Sequence, residues 1–160
     1  DLHKSYPKVG VVLQAYLKRS IADIEKLAGP GFNARICKGI YKEDKNIAYQ
    51  NPEDISKNFL AMAKVMLAKN SYACYATHDL QLIDDLVSLT KEMDADPSKF
   101  EFQVLYGVPM KGKLKKLLKS GYKVRVYVPY GPDWYEYSLR RLKENPNIAG
   151  YVIKNLFAKK

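Results

Sequence analysis

Tyr72-Ala73-Cys74-Tyr75-Ala76, followed by Thr77-His78-Asp79, then by Leu80, Ile83, Leu86 and Val87 at helical spacing, then by Phe100-Glu101-Phe102-Gln103-Val104-Leu105, reads as one strand-helix-strand unit. Both apolar runs are short enough for strands, and the segment between them repeats its apolar residues every three or four positions. The same alternation extends in both directions. Strands are predicted at residues 9–13, 34–37, 72–76, 100–105 and 124–128. Helices are predicted around Ile21, Ile24 and Leu27, around Ile55, Phe59, Met62, Val65 and Met66, and around Leu114, Leu117 and Leu118. Local punctuation agrees. Asn51-Pro52-Glu53 offers an N-cap followed by proline at the first helical position, Gly131-Pro132-Asp133 offers the same to a later helix, and Gly121 suits a helix end before a strand.

Strands read as continuously apolar, each followed by a helix, indicate a parallel sheet covered on its outer face or faces, hence the α/β class. About five strand-helix units are present, whereas a closed (β/α)8 barrel takes about 250 residues and eight units. A barrel reading therefore places roughly three units outside this chain. An open doubly wound sheet needs no further part, yet no G-x-G-x-x-G turn follows any strand. On these grounds alone both architectures remain open. No internal repeat, linker or low-complexity stretch divides residues 1–160, so a single domain is expected.

Composition sets the outer limits. An apolar fraction of 47% with 28% charged residues and a mean hydropathy of −0.36 excludes disordered and collagen-like chains. No apolar run approaches the roughly 20 residues of a membrane-spanning helix, so the stretch is expected to be soluble. A net charge of +10 favours an anionic partner: a nucleotide cofactor, a carboxylate substrate, nucleic acid or an acidic membrane surface. Cys37 and Cys74 are too few for a disulfide framework, and with His3 and His78 as the only histidines no zinc signature assembles. A reducing compartment and a metal-free domain are expected.

In parallel α/β proteins ligands bind at the carboxyl ends of the strands. Polar residues gather there: Gln14; Arg35 and Lys38; Thr77, His78 and Asp79; Gln103 and Tyr106; and Tyr127. Thr77-His78-Asp79 reads either as a plain N-cap or as a helix end where Thr77 and His78 receive a nucleotide phosphate, with Lys38-Gly39 serving the same anion. Tyr137, Arg140, Arg141 and Glu144 fall on one helical face, where two arginines can fork onto a carboxylate and Glu144 can fix them; a solvated surface helix is the plainer alternative. Lys111, Lys113, Lys115, Lys116 and Lys119 form a basic helix that reads as a solvated outer face. It lacks the interleaved arginines and aromatics of a nucleic-acid groove, and contact with an anionic membrane remains a second use.

Six blocks, in order, resemble the proline dehydrogenase family, the flavin enzymes that oxidise L-proline to Δ1-pyrroline-5-carboxylate, the first step of proline catabolism to glutamate. They are Val11-Val12-Leu13-Gln14-Ala15-Tyr16-Leu17, Arg35-Ile36-Cys37-Lys38-Gly39-Ile40-Tyr41, Ala76-Thr77-His78-Asp79, Phe100-Glu101-Phe102-Gln103-Val104-Leu105-Tyr106-Gly107, Arg125-Val126-Tyr127-Val128-Pro129-Tyr130-Gly131 and Tyr137-Ser138-Leu139-Arg140-Arg141-Leu142. Tyr106 and residues 128–134 look more like the short monofunctional bacterial members than the bifunctional ones.

The resemblance implies a distorted (β/α)8 barrel holding FAD at the carboxyl ends of its strands. This chain would supply units four to eight, and a missing N-terminal barrel segment the rest, including a lysine and an aspartate of the active site. By the same resemblance Gln14, Arg35, Lys38, Gly39, Ile40, Thr77 and His78 match flavin-binding positions, with Arg35 the catalytic residue near the reactive N5. Leu105, Tyr127 and Tyr137 match walls around the proline ring, Arg140 and Arg141 the carboxylate clamp, and Glu144 the residue that orients it. A quinone-type electron acceptor, a cytoplasmic location and peripheral contact with a bacterial inner membrane are implied too, and nucleic acid is not an expected partner. The alternatives are an inactive barrel fragment and a basic domain that binds nucleic acid or an anionic membrane.

Overall fold

The computed structural model describes residues 2–6, 9–133 and 136. After a one-turn helix α1 (Leu2–Ser5), strands and helices alternate: β1 (Val11–Gln14), α2 (Ser20–Leu27), β2 (Asn33–Cys37), α3 (Pro52–Ala68), β3 (Tyr72–Ala76), α4 (Leu80–Glu92), β4 (Phe100–Leu105), α5 (Lys113–Lys119) and β5 (Val124–Tyr127). The helix starts follow from capping chemistry. Asn51 accepts the Glu53 N–H at 2.9 Å ahead of Pro52, and Asp79 Oδ1 accepts the Gln81 and Leu82 N–H groups at 3.0 and 3.2 Å. Gly121, at φ +82°, ends the α5 segment, donating its N–H to the Leu118 carbonyl at 3.0 Å.

All five strands are parallel and lie in sequence order, β1-β2-β3-β4-β5. A doubly wound sheet reverses its strand order and carries helices on both faces. Here nothing reverses, and one face carries the helices. Register aligns Ala34, Ala73 and Phe100 in one row, and Ile36, Tyr75 and Phe102 in another. These side chains are buried with Ile24 of α2, Phe59, Met62, Ala63 and Met66 of α3, Leu82, Ile83 and Leu86 of α4, and Leu117 of α5. Among the described residues the sheet thus carries its helices on one face and leaves the other without them. Among the described residues no sixth strand pairs with β1 or β5.

The helix-side core is dominated by rings. Tyr75 lies 5.8 Å from Phe100 and 5.6 Å from Phe102 between centroids, and Phe100 meets Phe102 edge-on at 6.1 Å. Fully burying each such side chain contributes about 1.5–3 kcal/mol, so this cluster pins β3 and β4 to the helical layer.

Two expectations change. The strands are not uniformly apolar: Asn33, Arg35, Tyr72, Glu101, Gln103 and Arg125 alternate with the buried residues and face the other side of the sheet. On that side Tyr72, Gln103 and Arg125 pair with Glu101, and among the described residues no helix covers it. Leu118, grouped above with the apolar face of its helix, is 58% exposed, because the short α5 buries only Leu117 fully. Lys113 pairs with Asp84, while Lys111, Lys115, Lys116 and Lys119 are exposed. Among the described residues no helix is long and apolar enough to cross a membrane.

Candidate functional site

At the carboxyl edge of the sheet the strand ends and their loops enclose a cleft of about 770 Å³. Volumes of this order suit small-molecule and cofactor sites. Eleven of the residues singled out by sequence line it: Gln14, Arg35, Lys38, Gly39, Ile40, Thr77, His78, Asp79, Gln103, Leu105 and Tyr127. Tyr137, Arg140, Arg141 and Glu144 lie outside the described residues. Tyr106 sits on the turn after β4, 69% exposed and away from the cleft lining, where its N–H donates to the Tyr127 carbonyl at 2.8 Å.

Each lining residue is set by its strand end. Gln14 ends β1, where its carbonyl accepts Ser20 Oγ–H at 2.7 Å and fixes the turn into α2. The β1–β2 ladder continues past Cys37, since Ala15 and Tyr16 donate to the Cys37 and Lys38 carbonyls at 2.7 and 2.9 Å. Arg35 therefore projects from a strand paired on both sides. Gly39 adopts φ +98°, and a Cβ there would overlap the buried Tyr16 ring. Glycine is required by this packing as well as by its backbone angle, so close approach of an anion is not needed to explain it.

The Thr77-His78-Asp79 corner is more specialised than the sequence suggests. The N-cap of α4 is Asp79, and Thr77 Oγ1 accepts the Asp79 N–H at 3.2 Å. The Asp79 carboxylate takes the first free amides of α4 and also pairs with Lys38 Nζ at 2.6 Å. The anion-attracting helix end is thus already satisfied by the protein's own carboxylate. His78 Nε2 accepts the Leu105 N–H at 2.8 Å, closing the gap between the ends of β3 and β4. An accepting Nε2 places the neutral ring's proton on Nδ1. Burial, then the charge of Arg35, hold its pKa below the ordinary histidine value, which favours this neutral form.

Sequence reasoning named Gln103 but missed Glu101 and Arg125. On the inner face Glu101 is 4% exposed, and its carboxylate receives Arg125 Nε at 2.6 Å and Nη2 at 3.0 Å, Gln103 Nε2 at 2.6 Å and Tyr72 Oη–H at 2.9 Å. Burial alone would raise its pKa, but the hydrogen bonds from Arg125, Gln103 and Tyr72 outweigh it and hold the carboxyl at about 2. The signal was present in the alternation Phe100-Glu101-Phe102-Gln103 and in the lone arginine of Val124-Arg125-Val126.

The cleft carries three cations: Arg35, Lys38 and Arg125. Lys38 is paired with Asp79 and Arg125 with Glu101. Among the described residues Arg35 has no carboxylate partner. Among the described residues the site therefore presents one uncompensated positive charge, beside an apolar wall of Leu105, Tyr127 and Ile40. Such a site suits a ligand with an anionic or electron-accepting centre flanked by apolar surface. Among the described residues no group of three or more His, Cys, Asp or Glu could hold a metal ion.

Comparison with known proteins agrees with this geometry. The family model described as proline dehydrogenase matches residues 1–153. Proline dehydrogenase 1 of Bacillus subtilis (strain 168) is 39% identical over 160 residues, spanning 98% of this chain and 51% of that protein. Proline dehydrogenase 2 of the same strain is 40% identical over 159 residues, spanning 99% and 52%. The chain thus spans about half the length of the curated relatives it matches. Among solved structures, proline utilization A from Bdellovibrio bacteriovorus inactivated by N-propargylglycine superposes with a TM-score of 0.74 at 27% identity, over 85% of this chain and 16% of that one. With nearly the whole chain matched by the family model, the chain belongs to the proline dehydrogenase family.

Proposed function

We propose that this chain forms units four to eight of a distorted (β/α)8 barrel that binds FAD and oxidises L-proline to Δ1-pyrroline-5-carboxylate. The observation that carries the reading is the Arg35 guanidinium, without a carboxylate partner among the described residues, in a cleft of about 770 Å³ where Lys38 and Arg125 are neutralised. The remaining barrel units, in a segment N-terminal to these, would cover the open inner face of the sheet and its two edges.

The residues present fit a flavin. The cleft has the volume and mixed lining of a cofactor site, and among the described residues its uncompensated charge is positive, which stabilises a ring that takes up electrons. FAD, when bound, supplies the hydride acceptor that no amino-acid side chain provides. Everything else falls to the protein. Arg35, carried on a strand paired on both sides, places positive charge where negative charge accumulates on reduction. Lys38, steadied by Asp79, and Gln14 supply hydrogen-bond donors at neighbouring strand ends. His78, held neutral, presents Nδ1–H as a donor while Nε2 stays bound to the strand end. Leu105 and Tyr127 offer the apolar wall against which the pyrrolidine ring is oriented, which lowers the entropic part of the barrier. Arg140 and Arg141 would grip the substrate carboxylate, with Glu144 fixing them and Tyr137 completing the wall. Electrons would leave to a quinone-type acceptor at the membrane surface.

The test is a visible spectrum of the native-length protein before and after L-proline is added without oxygen. A bound flavin whose absorbance bleaches on addition of proline supports the reading. A protein that binds no FAD, or whose flavin is unaffected by proline, refutes it.

A further inference from the structure

We propose that Glu101 is a positioning residue of the cleft: a buried carboxylate that fixes Arg125 and Gln103 and cancels the charge of Arg125, leaving Arg35 as the cation that sets the electrostatics of the site. The inference rests on the flavin reading above and deepens it.

Three observations carry it. First, the Glu101 carboxylate is fully used, receiving four hydrogen bonds from β3, β4 and β5 through Tyr72, Gln103 and Arg125. A side chain held this way has one orientation. Second, both groups it holds line the cleft, and Arg125 is 66% exposed, so its charge faces the space a ligand would occupy. The register pairs Gln103 with Arg125 directly across β4 and β5, and Glu101 lies one rung below on the same face. Third, the charges balance in a particular way. Lys38 and Arg125 each have a carboxylate within 2.6 Å, and Arg35 has none among the described residues. A strand clip alone would need only hydrogen bonds. A bidentate carboxylate placed against Arg125, the other arginine of the cleft among the described residues, also sets the net charge there.

The two roles separate in the flavin midpoint potential. The native-length protein, loaded with FAD, is compared with Glu101→Gln, Tyr72→Phe, Arg125→Gln and the double variant Glu101→Gln with Arg125→Gln, each checked for folding by thermal melting. Glu101→Gln leaves Arg125 unpaired and adds a positive charge to the cleft. At an effective dielectric constant of about 20, such a charge shifts the two-electron equilibrium toward reduced flavin about tenfold, or about 30 mV. Arg125→Gln shifts the potential the other way, Tyr72→Phe leaves it unchanged, and the double variant restores the wild-type value. Since the two single variants move in opposite directions, the failure of either to fold leaves the other decisive. Equal effects of Glu101→Gln and Tyr72→Phe, or a double variant that stays displaced, would overturn the proposal while the flavin reading stands. A wild-type protein without flavin would remove both.

Discussion

Asp79 serves two masters, and substitution separates them. Its carboxylate caps α4 through the Gln81 and Leu82 amides at 3.0 and 3.2 Å, and pairs with Lys38 at 2.6 Å. Loss of an N-cap costs about 1 kcal/mol, within a range of about 0.5–2. The ion pair, with each partner about a third exposed, is screened and contributes about 0.5–1 kcal/mol. Asp79→Ala removes both and is expected to destabilise by about 2 kcal/mol, whereas Asp79→Asn keeps a good cap and loses only the charge, costing under about 1 kcal/mol. In urea, with a slope of about 2 kcal/mol per molar, the alanine variant unfolds about 1 M earlier and the asparagine variant less than about 0.5 M earlier. Both variants free the Lys38 ammonium, so both bind an anionic cofactor at least as tightly as wild type. Equal losses of stability in the two variants would refute the capping argument. Weaker cofactor binding in Asp79→Asn would refute the charge assignment.

Other consequences are equally specific. Tyr75 is fully buried and, among the described residues, its hydroxyl has no hydrogen-bond partner, so Tyr75→Phe should raise stability by about 1 kcal/mol; a loss of that size in urea unfolding would reveal a hidden partner. Gly39→Ala forces a side chain into the left-handed region and onto the Tyr16 ring, costing about 2 kcal/mol or more, and a melting temperature within a degree of wild type would contradict that packing. Arg35→Met removes the uncompensated charge, so the flavin potential and proline turnover both fall; unchanged values in a folded protein would strip Arg35 of its role. Stability should drop in two stages on acidification. Below about pH 6.5 the unfolded chain protonates its histidine before the depressed His78 does, and between about 4.5 and 2 the paired Glu101 carboxylate is protonated, losing about 3 kcal/mol. Glu101→Gln should flatten the second stage, and an unchanged slope there would count against the pairing.

How much was legible in the sequence varies with how local each determinant is. β3 and β4 were read with their observed bounds because their apolar runs end at polar or turn residues. For β1 the apolar run at residues 9–13 starts two residues before the observed strand and ends one short of it. Its extent is set by pairing with β2, beginning at Val11 opposite Ala34 and ending at Gln14 opposite Cys37, rather than by its own apolarity. The polar inner face was hidden because Cys74, Ala76 and Leu105 share it with Glu101, Gln103 and Arg125, which blurs the period-two pattern. Glu101 and Arg125 are 24 residues apart, and only the β4–β5 register brings them together. The α4 corner illustrates the same limit on a smaller scale: Thr77 and Asp79 are both good caps, and the pairing of the Asp79 carboxylate with Lys38, 41 residues earlier, comes only from the fold. The convergence of Gln14, Arg35, Lys38, His78 and Tyr127 on one cleft was legible because parallel strands deliver their ends to one edge whatever lies between them.

The most direct test of the central claim is a crystal structure of the native-length protein grown with FAD. The account predicts flavin density in the cleft at the carboxyl edge, in contact with Arg35 and backed by the Leu105 and Tyr127 side. Flavin bound elsewhere, or an Arg35 guanidinium turned away to pair with a carboxylate, would contradict it.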